Sequence, residues 1–446
     1  MMQICRSRKA LWLPAAALSL FLASCAGTSE FFRDVDRSVA AGHYGEAIDA
    51  VVAGRDVYGD KSSVLYHLDL GLLHHYRGDF DSSTAHLFAA EREIGDLYTK
   101  SISLTALSFV INDNVLPYEG EDHEKVLVNA FLALNFAEQG MTDDALVEAR
   151  KVDVKLREYA RAYDEKNIYR EDAFIRYLTG VLYETGGETN DAFIAYRAAY
   201  DAYQEYAAHY ATPAPSFLLD DIVRTATALS FTEEAEKYAA RGGAFPGAGS
   251  SGNGTLLVIA YAGQAPVKEE VRPSLSVADK DGIVHTFQMA LPKFVPRFTQ
   301  PRDYEVGVEG ADGPVGGRTE IAEDITRIAA KALDDRISLI YLKAGGRAVL
   351  KFLAAEKAKS DLKKKGSTLG NVLGSIAIDV ALGATEQADT RSWRTLPAQI
   401  QIIRFRLPPG EYTVNVASSD GGYTRRNIPV HVRRRALSCV IVDDIR

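Results

Sequence analysis

LGLLHHYRGDFDSSTAHLFAAE, residues 70–91, decides how the N-terminal half reads. Leu70 and Gly71 lie in one helical run, Gly78-Asp79-Phe80 supplies a turn, and Ser83, Leu87 and Ala90 recur at helical spacing beyond it. Two helices joined by so short a turn run antiparallel and pack along their length. Small residues at Gly71 and Ser83 predict where the backbones approach closely, and larger apolar side chains fill the space between.

The same frame recurs at Gly42/Ala47, Gly140/Ala145 and Gly187/Ala192, with GHYGEAI and GETNDAF standing at the turn, and a weaker copy ends at Ala235. Gly42 to Gly78 is a step of 36 residues, and the later steps are 62 and 47. This pattern resembles the tetratricopeptide repeat, whose period is about 34 residues. It predicts about five degenerate copies over residues 31–243, with an insertion around 95–125. The resemblance implies an α-solenoid whose concave side holds a peptide or partner helix and which is seldom catalytic.

One helix stands out within this half. In YRAAYDAYQEYAAHY, Tyr196, Tyr200, Tyr203, Tyr206 and Tyr210 are spaced 4, 3, 3 and 4, which puts them within an arc of about 120°. Such a face either packs on a neighbouring helix or offers a partner-binding stripe, since tyrosine supplies contact area at low entropy cost. His67, His74, His75 and His86 invite a metal reading, but no carboxylate cluster accompanies them at ligand spacing, and neither a metal nor a cofactor is expected.

SLFLASCAG, residues 19–27, ends a secretory signal. Arg6, Arg8 and Lys9 precede an apolar run from Ala10 to Leu22, too short for a permanent transmembrane helix. Leu22-Ala23-Ser24-Cys25 resembles the lipobox of bacterial lipoproteins. That resemblance implies cleavage after residue 24, acylation of Cys25 and a tether of residues 25–30. Ala26 in place of an aspartate implies sorting to the outer membrane. About five residues of tether span at most about 18 Å, so the helical half is expected near the membrane.

The net charge is −9, and −12 once the basic residues of the leader are gone. Residues 25–250 carry −18 and residues 251–446 carry +6, which predicts two units with different surfaces. A strongly acidic half and an extracytoplasmic address argue against nucleic acid. Cys5 lies in the leader and Cys25 is the acylation site, so Cys439 is the remaining thiol and no internal disulfide is possible. Its setting, LSCVIV, predicts a small buried strand residue.

GGAFPGAGSSGNG, with the linker placed at 244–254, separates the halves by composition. Beyond it TLLVIAYAG reads as a strand, RPSLSVADKDGIVHTFQMALP as two strands around a Lys-Asp-Gly turn, and residues 398–443 as four more. Alternation at Ile400, Ile402 and Phe405 suits an antiparallel sheet with one buried face. Seven short strands predict a β-sandwich of immunoglobulin type over 255–446. A helical insertion is expected at about 319–388. It grows basic towards Lys357, Lys359, Lys363, Lys364 and Lys365, a solvated face or a contact with anionic lipid, peptidoglycan or an acidic partner. STLGNVLGSIAIDVALGA follows at 367–384, and Asp379 interrupts it too early for a membrane span.

The segment ADTRSWRTLPAQIQIIRFRLPPGEYTV, with the lipobox, the repeats and AGQAPVKEE, resembles a family of uncharacterised bacterial tetratricopeptide-repeat lipoproteins. The family is often encoded beside other outer-membrane lipoproteins, including some resembling penicillin-binding-protein activators. It carries no established activity and lends no catalytic residue. Trp393, flanked by Arg391 and Arg394, either plugs the seam between insertion and sandwich or forms a recognition spot for carboxylate or phosphate.

No His-Glu-x-x-His, Gly-x-Ser-x-Gly, phosphate-binding loop or Cys-x-x-Cys occurs. A multidomain α and β protein follows, an N-terminal solenoid before a C-terminal sandwich. The expected function is that of an outer-membrane lipoprotein facing the periplasm, a non-enzymatic adaptor for envelope proteins. Binding of peptidoglycan or an exported polymer is the alternative, and a carbohydrate-cleaving carboxylate pair the third reading.

Overall fold

The computed structural model describes residues 30–108, 113–162, 171–247, 252–278, 284–297, 303–311, 313–365 and 387–445. The leader, Cys25 and residues 26–29 lie outside the described residues, as does the apolar segment 367–384.

The chain is a mixed helical and sheet protein. A helix at 30–40 (α1) precedes α2 (Tyr44–Ala53), α3 (Arg55–Tyr58), α4 (Ser63–Tyr76), α5 (Phe80–Ser108), α6 (Asp122–Glu138) and α7 (Thr142–Ala162). Then come α8 (Ala173–Thr185), α9 (Thr189–Tyr210), α10 (Phe217–Ala228) and α11 (Thr232–Ala239). They form five hairpins, α1–α2, α4–α5, α6–α7, α8–α9 and α10–α11, in which neighbouring pairs pack side by side.

All five hairpins turn by one device. Gly42, Gly78, Gly140 and Gly187 stand two residues before the second helix at φ of 73°, 77°, 72° and 82°. The amide after each glycine reaches back five residues, as Asp79 N–H does to the His74 carbonyl and Met141 N–H to the Phe136 carbonyl. This is the left-handed cap that glycine adopts without a Cβ penalty. The fifth turn asks the same of Ser230, at φ 62°.

Close approach along the hairpins is equally local. A Cβ on Gly71 of α4 would lie 2.7 Å from Leu87 Cδ2 of α5, and one on Gly180 of α8 would lie 2.5 Å from the Tyr196 ring of α9. The first part of the expected insertion around 95–125 is α5 itself, which runs on to Ser108 as a 29-residue helix, and α6 begins at Asp122.

Twelve strands follow among the described residues: β1 (Gly254–Gln264), β2 (Val267–Val271), β3 (Ser274–Ala278), β4 (Val284–Gln288), β5 (Leu291–Val295), β6 (Tyr304–Glu309), β7 (Val315–Arg318), β8 (Glu320–Asp324), β9 (Pro397–Leu407), β10 (Gly410–Ser418), β11 (Thr424–Val432) and β12 (Leu437–Asp444). One four-stranded sheet has the order β12-β1-β9-β8 and the other β11-β10-β6-β7, with β2-β5 and β3-β4 as separate ribbons. The two larger sheets enclose one core, built from Leu256, Val258, Val306, Ile403, Val414 and Val442 among others.

The first sheet differs from expectation in two ways. β1 pairs with β12 in parallel, Thr255 opposite Leu437, so the sheet is not wholly antiparallel. Both of its faces are buried. Leu257, Ile259, Tyr261, Ile400 and Ile402 join the core of the helical array, while Ile403, Phe405 and Leu407 point into the sandwich. Ile402 and Phe405 therefore lie on opposite faces, and TLLVIAYAG is a continuous apolar run because every residue of β1 is buried.

The insertion also begins later than its composition suggests. Residues 320–324 belong to β8, paired with β9, and the helix α12 (Ile325–Lys365) starts only after them.

Gly180→Ala is expected to lower stability by about 1–3 kcal/mol through overpacking against Tyr196. Ser230→Gly should raise it by about 0.5–1 kcal/mol, relieving a left-handed backbone. Urea unfolding of residues 25–446, followed by circular dichroism, checks both.

Candidate functional site

The helical array meets the β12-β1-β9-β8 sheet along a seam, and buried side chains bolt the two together. Tyr76 OH donates to the Thr395 carbonyl at 2.8 Å, Tyr44 OH to the Asp443 carbonyl at 3.3 Å and Tyr203 OH to the Ala322 carbonyl at 3.1 Å. Tyr206 OH donates to Glu323 Oε1 at 3.2 Å, and burial pushes that carboxyl well above the usual range. Arg404 and Arg406 of β9 reach Asp221 of α10 and Glu184 of α8 at 3.2 and 3.4 Å.

These contacts correct the partner-binding reading of the tyrosine stripe. Tyr196, Tyr203, Tyr206 and Tyr210 are buried and Tyr200 is half-buried. Tyr196 fills the space opened by Gly180, and Tyr203 and Tyr206 meet β8. The stripe faces this chain's own helices and sheet because tyrosine supplies both apolar area and a hydroxyl: Tyr203 gives its hydroxyl to a sheet carbonyl, and Tyr196 and Tyr206 give theirs to the carboxyl groups of Glu184 and Glu323.

His75 sits at the centre of the seam, fully buried. Asn135 Nδ2 donates to Ser83 Oγ, so Asn135 Oδ1 accepts, and His75 Nδ1–H donates to it at 2.6 Å. His75 Nε2 then accepts from Tyr261 OH at 2.8 Å. This is a neutral imidazole, and burial lowers its pKa to about 4.

Trp393 belongs to the same seam. Its N–H donates to Glu124 Oε1 at 2.7 Å, its indole Nε1–H to Thr395 Oγ1 at 3.0 Å, and its ring meets Phe131 at 5.9 Å. Thr395 passes the chain on to Asp69 Oδ1 at 2.9 Å, whose other oxygen accepts from Tyr58 OH at 2.8 Å. The exposed recognition spot is thereby corrected: Trp393 is 1% exposed and plugs the join. Arg391 chelates Asp389 and donates to the Leu116 carbonyl at 3.0 Å, with its guanidinium 5.2 Å from the Tyr118 ring. Arg394 pairs with Asp36 and stacks on Phe32.

Beside this join lies a cleft of about 850 Å³. Arg297 and Arg394 line it and share Asp36, the former at 2.9 Å. Lys268, whose pKa burial lowers, pairs with Glu121, which Arg336 also contacts. Burial raises Asp69 to about 6 despite its hydrogen bonds. Ser392 Oγ and Arg394 Nε are buried without a hydrogen-bond partner among the described residues. The cleft is thus lined by five cations against three carboxylates, Asp36, Asp69 and Glu269, with aromatic walls at Phe32 and Tyr58, a surplus of positive charge that suits a carboxylate or phosphate group. Of its residues the sequence pointed only to Arg391 and Arg394. Asp69 carried one legible signal, a carboxylate inside the apolar run VLYHLDLGLL.

A second groove of about 710 Å³ lies where the turns of α4–α5 and α6–α7 stand against β11 and β12. The outer edge of β12 is blunted there: Arg425 donates to the Ile441 carbonyl at 3.1 Å, and Tyr44 takes that of Asp443. Cys439 lies beneath, hydrogen-bonded to Glu138, and burial pushes the thiol up and Glu138 up to about 7. A protonated thiol is no nucleophile. His67 Nδ1 lies 3.0 Å from His86 Nδ1, and His74 stacks on His86. Among the described residues no group of three or more His, Cys, Asp or Glu has the geometry to hold a metal ion. Lys357, Lys359, Lys363, Lys364 and Lys365 fall within the backbone of α12, but their side chains lie outside the described residues.

The fold and its seam define a mixed α and β protein in which a hairpin array is fused to a two-sheet unit. No family model matches the sequence, and no curated protein does. Among solved structures, "MamA AMB-1 P212121" matches 48% of this chain and 90% of its own at 18% identity, with a TM-score of 0.28. That likeness is too low to establish a shared fold.

The pH dependence of stability follows from His75. Its folded pKa of about 4 lies below the unfolded value of 6.5. Its contribution is therefore complete above pH 6.5 and is lost as pH falls towards 4, about 3 kcal/mol in all. His75→Gln should be the less stable form at pH 7, and the gap in melting temperature should narrow by pH 4.5. Calorimetry across that range checks it.

Proposed function

We propose that this chain is a lipoprotein, acylated at Cys25, held in the outer membrane and facing the periplasm, where it acts as an adaptor for envelope proteins by binding rather than catalysis. Its helical half is read as a tetratricopeptide-like array. Five hairpins with one left-handed turn and the close contacts at Gly71 and Gly180 support that reading.

The observation that supports an adaptor most is the groove at the hairpin turns. Solenoids usually take partners along one face of the array, and here the face carrying His75, Tyr76 and Phe131 is covered by the protein's own sheet. Contacts with other proteins fall instead at the turn ends, where Arg77, Gln139, Arg433 and His431 stand exposed around the groove. Tethering at a membrane raises the effective concentration of neighbours, so modest affinity at such a groove suffices.

The cleft beside Trp393 favours a second reading, capture of an anionic envelope polymer such as peptidoglycan. Its cations and the unpartnered Ser392 hydroxyl are the observation behind it.

Crosslinking in intact cells, with affinity recovery and mass spectrometry, separates the two. The adaptor reading expects a defined set of envelope proteins, lost in Cys25→Ala and reduced about fivefold in Gln139→Arg/Arg433→Glu. Glycan fragments without protein partners, lost in Ser392→Ala, would replace it with polymer binding.

A further inference from the structure

α12 is apolar on two opposite faces. On one, Leu333, Ala344 and Ala348 are buried, and Ile340 and Ala344 pack on Met289 and Leu291. On the other, Leu339, Leu342, Val349, Leu350 and Leu353 are exposed by 49%, 70%, 39%, 55% and 58%. At 100° per residue these five fall within an arc of about 100°, nearly opposite the buried row. Single exposed leucines are common, but a contiguous stripe of this kind marks an interaction face.

Charge restricts what the face can meet. Ile325–Lys365 holds eleven Lys or Arg and four Asp or Glu, a net +7 within a chain of −9. Of the acidic four, Asp335 is already paired with Lys331 at 2.5 Å. A second copy of the helix laid against the stripe would bring two strongly cationic helices together, which disfavours self-pairing. A bilayer carrying anionic headgroups supplies both needs, an apolar layer within about 5–10 Å of the surface and phosphates above it.

The geometry points to α12 as a second membrane contact, lying on an anionic phospholipid surface with the Leu339–Leu353 stripe entering the headgroup boundary. This rests on the envelope reading only for the presence of a membrane; the contact itself uses no acyl chain. It would hold the protein at two points and fix its orientation on the bilayer.

The test uses the full mature-length chain with Cys25→Ala, sedimented with vesicles of equal phosphatidylcholine and phosphatidylglycerol or of phosphatidylcholine alone. Binding to the anionic vesicles is expected to exceed that to neutral ones about tenfold, and to weaken in about 0.5 M salt. Leu342→Ser/Leu350→Ser/Leu353→Ser should reduce it about fivefold with an unchanged thermal melt, since all three side chains are exposed. Equal binding to both vesicles, or a triple variant that binds as well as its parent, overturns the proposal. A concentration-dependent dimer that the triple variant abolishes also overturns it and assigns the face to a second copy. Because Cys25 is absent, these outcomes are separate from whether the chain is acylated in cells.

Discussion

Burial of β1 on both sides is the constraint from which the other layers follow. Leu256, Val258, Ala260 and Ala262 face the second sheet, and Leu257, Ile259 and Tyr261 face the helices. Each large aliphatic side chain so placed contributes about 1.5–3 kcal/mol relative to exposure. Removing either the second sheet or the array would leave one whole face in water. The helical and sheet halves, opposite in charge, are therefore not independent units on a linker but layers about a common strand.

Apolar contact alone would leave the array free to slide on the sheet, and polar side chains fix its place. Tyr44, Tyr76, Tyr203 and Tyr206 each give a hydroxyl to a group on the sheet side, while His75 joins Asn135 to Tyr261. Trp393 adds a bond to Glu124 from the loop before β9. A slip of the array would strand several of these buried groups at once, each unmet hydrogen bond costing about 1–3 kcal/mol. The consequence for function is direct. The face of the array that carries Tyr76, His75 and Phe131 is committed to the sheet, so the surfaces left open to a partner in the proposed readings are the turn ends, the cleft beside Trp393 and the outer side of α12.

Much of the fold was legible because it is encoded locally. Four of the five hairpin turns follow from glycine two residues before the second helix, and the close approach of α4 and α5 from Gly71, where any side chain would collide. Of the candidate site, the identity of Trp393, Arg391 and Arg394 was legible, but not their burial. A tyrosine or tryptophan suits a partner's surface and an internal join equally well, since both want a flat ring with a polar tip. Asp36, Lys268 and Arg297 gave no signal, because they meet only after segments more than two hundred residues apart come together.

The sequence by itself determined the helical hairpins, their turns, most of the strands, and the split in charge between the halves, all of them consequences of spacing within a few residues. Only the tertiary structure decided that β1 runs parallel to β12, that both faces of its sheet are covered, and that the tyrosine stripe closes on β8. Alternation along a strand tells which residues share a face, not what lies against it. What lies against it is set by the meeting of distant segments, where burial of two faces and satisfaction of their polar groups must be met together.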